Sequence, residues 1–341
     1  MGRMSILCGT CLAMLAAGDC AAGDNDPSFN CSRANNAGEK LICTNARLSK
    51  ADREMGAAYR RLERGETTAS FATVRNAQRG WLAYVTHLCG ASKPLPAFVG
   101  DQNPIRDCLD ENYTDRAERL GGAKVERAGA LVLEPRMRFF TKTKPSTEDS
   151  DIYPWMAGGK AATAFNAYIA RTLALGKRRM DDKDIFAFGA DQIPENMSLY
   201  ARRTYSVIRF DPKIASVHVF TYDFSGGAHE ILGERAINWD IARGKTLSFA
   251  DIFLPGVKWQ NFVTAYGLRD LAGQFESGAP APDRAAVQDV AKDIGNWMFD
   301  SKYAIVHFTV YTVASFSGGE YDVKIPYRVL KPFLKKDTVV W

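Results

Sequence analysis

The side chains best suited to chemistry are four histidines, His87, His218, His229 and His307, and a few acids beside turns. His229 follows Gly226-Gly227-Ala228, with Asp223 close before it. An imidazole near a carboxylate can move protons or hold a metal at neutral pH. No HExxH and no paired-histidine spacing accompanies it, however. Glycines supply positive φ for a tight turn, in which a histidine bonds to backbone. Gly226, Gly227 and His229 are therefore candidate binding residues. Glu39 and Asp52 could act as a carboxylate pair, but a negative charge at a helix start also serves the exposed amides. An ion pair of one of them with Arg116 is a further expectation. No GxSxG is present, and Gly158-Gly159-Lys160 lacks the rest of a phosphate-binding loop. The expectation is a protein with no catalytic residue, no cofactor and no metal, and not an enzyme.

Seven cysteines are present, and the first three fall in an apolar N-terminal stretch. Arg3, an apolar run over 6–17 and small residues up to 22 read as a signal peptide, residues 1–22. Cys20 could carry a lipid, but Asp19 fits that poorly. Cleavage leaves Cys31, Cys43, Cys89 and Cys108, an even number in an exported chain, which predicts disulfides. Three pairings exist, and Cys31 with Cys43 and Cys89 with Cys108 closes the shortest loops. No CxxC or nearby histidine supports a metal instead. With 341 residues the chain allows two domains. Its net charge of +5 is scattered, which argues against a nucleic-acid partner. No later run is long and apolar enough to span a membrane.

The elements that carry these residues fall into two groups. Residues 23–122 are helical. Leu48, Met55, Tyr59 and Leu62 form one apolar stripe, with Ser49 as a candidate N-cap. Val74, Gln78, Trp81 and Val85 form a second, and Leu109, Tyr113 and Leu120 a third that starts at Pro104. Trp81 and Tyr59 read as core. Residues 123–130 form a linker. In 131–341, strands are expected over 131–140, 200–210, 216–224 and 234–241, then two helices and a final hairpin. The segment 141–151 reads as a polar loop, 177–184 as a solvated charge run, and Trp297 as helical. The expected fold is multidomain: a disulfide-stapled all-α bundle, then an α+β domain with an antiparallel sheet and helices on one side.

The order Cys31, Glu39-Lys40-Leu41-Ile42-Cys43, Asp52, Tyr59, Gln78, Trp81, Cys89, Cys108, Tyr113, Arg116, Leu120 resembles the LprI-like family of exported lysozyme inhibitors. That family usually has an Arg between the Trp and the third cysteine, where this chain reads Tyr84-Val85-Thr86-His87. The second half resembles the RsiV-like domain of unknown function, on Gly226-Gly227-Ala228-His229, Asn238-Trp239-Asp240, Gly244-Lys245, Asp251-Ile252-Phe253 and Ile325-Pro326-Tyr327. RsiV is an anti-sigma factor whose extracellular domain binds lysozyme. The two resemblances imply a periplasmic or secreted binding protein whose partner is a lysozyme or other peptidoglycan hydrolase. Lysozymes are commonly basic, so carboxylates should meet them, and the loop 90–107 with Asp101 and Asp107 is the candidate. The alternative partner is peptidoglycan or another envelope protein, with no lysozyme inhibition.

Overall fold

The computed structural model describes residues 26–92, 103–143, 146–180, 198–226, 229–275, 281–315 and 318–341. The expected signal peptide, Asp101 and Gly227 lie outside them. Four helices open the chain: α1 (Ala37–Thr44), α2 (Ala46–Gly65), α3 (Thr68–Leu88) and α4 (Pro104–Gly122). Each starts where a side chain takes up an orphan amide. Asn36, Asn45, Thr67 and Asn103 accept from the backbone N–H of Glu39, Leu48, Ser70 and Arg106. Ser49 is thus not a cap. It lies one turn inside α2, and its hydroxyl donates to the Ile42 carbonyl.

The expected apolar stripes form the core. Leu48, Met55 and Leu62 of α2, Val74, Trp81 and Val85 of α3, and Leu109, Tyr113 and Leu120 of α4 are all buried. Cys31–Cys43 ties the N-terminal turn to α1, and Cys89–Cys108 ties the end of α3 to α4. The two bridges span sequence separations of 12 and 19 residues. Loop-closure entropy for such spans gives about 3 kcal/mol each. Replacing Cys89 and Cys108 by serine should therefore lower stability to urea by about that amount, with no more than a small effect on helix content by circular dichroism.

A seven-stranded sheet follows, in the spatial order β1 (Glu126–Ala128), β2 (Leu131–Thr143), β3 (Ser146–Ala157), β4 (Leu199–Phe210), β5 (Ile214–Phe224), β6 (Ile231–Asp240) and β7 (Lys245–Thr246). Every neighbouring pair is antiparallel except β3 and β4. A parallel pair needs a crossover, and α5 (Gly159–Thr172) lies in it. One continuous core joins helices and sheet: Trp81, Val85 and Leu109 belong to the same cluster as Met137, Phe165, Val217 and Trp239. Alternate residues of β5 serve opposite faces. Val217 and Val219 enter that core, while Ser216 accepts from the Phe299 amide of a second sheet.

This second sheet is β8 (Trp297–Phe299), β9 (Tyr303–Phe308) and β10 (Tyr321–Pro326), antiparallel throughout. It packs with α6 (Trp259–Gln274) and α7 (Arg284–Lys292) around Phe253, Trp259, Trp297 and Phe299. Trp297 is not helical as expected. α7 stops at Lys292, and Trp297 opens β8 with its indole N–H donating to the Ala291 carbonyl.

The larger correction concerns 141–151. No loop spans that segment: β2 runs to Thr143 and β3 starts at Ser146, with Ser146 to Asp151 all buried. Its acids are matched one by one with arginines. Glu148 meets Arg119 and Arg202, Asp149 meets Arg138 and Arg179, and Asp151 meets Arg138, Arg179 and Arg203. Arg179 comes from the expected solvated run, yet it is part of this buried network.

Among the described residues, the Glu66 carboxyl has no such match. Glu66, at the end of α2, is pushed up to about 8 by burial and by the nearby Glu134. Glu134 itself accepts from the Thr67 amide and from the Thr67 and Ser70 hydroxyls. Folding thus holds the Glu66 proton tighter than the unfolded chain does. The penalty grows as pH rises from about 4.5 to about 8 and is full above that. Glu66→Gln should stabilise the protein by about 1–2 kcal/mol at pH 9, after allowing for partial solvent screening, and by almost nothing at pH 4. Melts at both values check this.

Candidate functional site

The third apolar stripe turns one face of α4 inward, so its other face is solvent-facing. Asp107, Glu111 and Glu118 are exposed, with Asp115 half-buried among them. The spacing of four, four and three residues puts them in one row. Asp107 also pairs with Arg106 at 3.0 Å. Among the described residues, neither Glu111 nor Glu118 pairs with a cation. In a chain of net charge +5 this row is a local concentration of negative charge.

The row forms one wall of a groove of about 1020 Å³, whose other wall is β4 and β5 with Arg202, Phe220 and Tyr222. The buried ion network sets the groove's geometry. Arg119 of α4 reaches Glu148 of β3 at 3.1 Å, and Arg202 of β4 reaches the same carboxylate at 2.8 Å. Asp115 lies 3.4 Å from Arg202. Burial alone would raise the Glu148 carboxyl, but the two guanidinium groups outweigh it and hold it at about 2. Tyr200 donates to Glu230, which also lines the groove.

Of the expected binding residues, Asp107 stands in the acidic row. Gly226 does adopt positive φ, at 94°. His229 is exposed, and its Nδ1 lies 2.7 Å from the Glu230 carbonyl oxygen. Asp223 does not serve His229: it takes Arg179 at 2.7 Å. Glu39 and Asp52 accept from the Asn35 and Ser28 amides. Arg116 joins neither acid. It is buried against Trp81 and donates from Nε to Gln78 Oε1 at 2.9 Å. Trp81 is core, edge-on to Tyr113.

A second cluster has no signal in sequence spacing. His218 on β5, Glu234 on β6 and His307 on β9 bring one ligand atom each within 4.8 Å of the others. Glu234 Oε2 lies 3.2 Å from His218 Nε2 and 2.6 Å from His307 Nε2. His307 Nδ1 lies 2.8 Å from Asp322 Oδ1. Burial, with His307 alongside, lowers His218 to about 4. Burial would lower His307 too, but Asp322 and Glu234 raise it to about 9. The partners are 16 and 73 residues apart and meet only through strand pairing and the packing of two sheets, so no local motif could reveal them.

The structure thus defines a disulfide-stapled helical module, fronted by an acidic groove and seated on an α+β sheet domain. Residues 31–120 match the family model of the lysozyme inhibitor LprI. Residues 250–328 match that of a protein of unknown function, DUF3298, which begins downstream of the Gly-Gly-Ala-His turn. Among solved structures, a DUF3298 family member from Bacteroides fragilis is 16% identical over 63% of this chain and 98% of its own, with a TM-score of 0.48. A DUF3298 family protein from Pseudomonas aeruginosa is 16% identical over 63% of this chain and 95% of its own, with a TM-score of 0.40. No curated protein matches the chain. The disulfides and the LprI match point to an extracytoplasmic location. Among the described residues no helix is long and apolar enough to cross a membrane.

Proposed function

We propose that this protein is exported and binds a lysozyme-type muramidase through the acidic row of α4, blocking the enzyme by surface complementarity without a cofactor. The observation that carries the reading is the position of Asp107, Glu111, Asp115 and Glu118 on the exposed side of the LprI-matching module. A basic enzyme surface would be steered to such a row, and rim charges act mainly on the association rate and its salt dependence. Arginines and lysines of the partner would meet Glu111 and Glu118 first.

The test is lysis of wall suspensions by a panel of lysozymes, with and without the full chain, beside calorimetric binding. Slowed lysis and binding weakened by salt are expected. Glu111→Lys with Glu118→Lys should weaken binding by about tenfold or more, since two like-charge contacts replace two attractive ones. Unchanged lysis at micromolar excess, with no heat of binding, would remove the proposal. Co-sedimentation with purified peptidoglycan, in the absence of any lysozyme effect, would favour a wall-binding role instead.

A further inference from the structure

We propose that His218, Glu234 and His307 form a binding site for a zinc-class divalent ion that pins the seven-stranded sheet to the three-stranded one. The side chains of all three are nine-tenths or more buried, at 6%, 4% and 8% exposure. Glu234 Oε2 and His307 Nε2 lie 2.6 Å apart and are shut off from solvent, in a contact bent away from the straight line of a well-aligned hydrogen bond. A plain histidine–carboxylate pair would align its N–H on the oxygen and satisfy both atoms. Here the two atoms approach without that alignment, beside a third nitrogen 3.2 Å from the same oxygen. Two imidazoles and a carboxylate are a usual three-residue set for zinc, at about 2.0–2.2 Å per ligand. Seating the ion would widen the 2.6 Å contact by some tenths of an ångström.

The surroundings supply what such ligands need. Asp322 receives the other nitrogen of His307, which fixes the ring and leaves Nε2 to point at the ion. The fourth position of a zinc-class ion would fall to a water, or to the neighbouring Glu320 carboxyl after a side-chain movement, since the three clustered ligand atoms are those of His218, Glu234 and His307. His218 and Glu234 come from adjacent strands of one sheet and His307 from the other, so the ion would add a cross-link to the apolar contacts of Ala236, Met298 and Ile305 and the hydrogen bonds of Ser216 and Asn238 to the second sheet. His218 packs 4.3 Å from Phe220, whose residue lines the groove, so the pin also backs the groove floor.

The full chain, stripped with a chelator, is titrated with Zn2+ by calorimetry and with Co2+ by visible absorption. One ion per chain is expected, with the intense bands of a four-coordinate nitrogen and oxygen site for Co2+ and a rise in Tm on Zn2+ addition. Glu234→Gln should abolish stoichiometric uptake. Asp322 is more exposed, so Asp322→Asn should fold and weaken Zn2+ affinity by about 10–100-fold, which decides the matter even where Glu234→Gln unfolds. His87→Ala and His229→Ala should leave uptake intact. No uptake of either ion by the unaltered chain overturns the proposal, as does uptake unchanged in Asp322→Asn or lost in His87→Ala or His229→Ala.

Discussion

Glu148→Ala is expected to destabilise the protein by about 3–5 kcal/mol, because it leaves two largely buried guanidinium groups without their main counter-charge. Arg119 and Arg202 have side chains only 10% and 18% exposed, and Asp115, at 3.8 and 3.4 Å, is a poorer partner for both. The Ser150 hydroxyl also loses its acceptor. The same residue sets an acid limit. Its folded carboxyl titrates at about 2 against 4.5 unfolded, so its contribution is fully present above pH 4.5 and is lost as pH falls toward 2. The difference is worth about 3 kcal/mol. Urea curves at pH 7 and 3 on the unaltered chain and on Glu148→Gln measure it. The unaltered chain should lose markedly more stability over that interval than the variant. Equal losses would show that Glu148 does not stay ionised in the fold. Because Arg119 links α4 to the sheet through this carboxylate, Glu148→Ala should also loosen the acidic wall of the groove.

That network marks where reading the chain alone stopped working. Ser146-Thr147-Glu148-Asp149-Ser150-Asp151 has the composition of a loop, and nothing local says that five arginines from α4, β2, β4 and the segment after α5 will meet it. Hydrophobic periodicity reports burial only when burial is apolar. Periodicity and spacing read true for the helical stripes and the cysteines, though not for Trp297, which opens a strand. The stripe Leu109, Tyr113 and Leu120 set the inward face of α4, and the shortest-loop pairing of four cysteines is the one observed. Ser49 failed as a cap because Asn45, four residues earlier, offers the better-placed oxygen to the Leu48 amide. The groove needed two elements distant in sequence. Only its Asp107 edge was visible from the chain, since the other wall depends on where β4 and β5 come to lie.

The motif residues Gln78, Trp81 and Arg116 invite the second large effect, because they serve the core and not a contact surface. Arg116 is 1% exposed, and among the described residues no carboxylate bonds it. Its partners are Gln78 Oε1, the Met137 sulfur at 3.8 Å and the Trp81 ring, whose centroid is 5.5 Å away. Burial pushes the guanidinium down to about 9, still charged at neutral pH. Gln78→Leu removes the one oxygen that meets it and should cost about 3–5 kcal/mol, the range for a buried charge stripped of its partner. Arg116→Met alone removes the charge but strands the Gln78 oxygen, at about 1–3 kcal/mol. The pair Gln78→Leu with Arg116→Met leaves no orphan and keeps the volume, so it should regain most of the loss. A double-mutant cycle from urea midpoints reads the coupling directly. If Gln78→Leu costs under about 1 kcal/mol, or if the double variant is no more stable than Gln78→Leu, then a water or backbone group already satisfies Arg116 and the pairing is incidental.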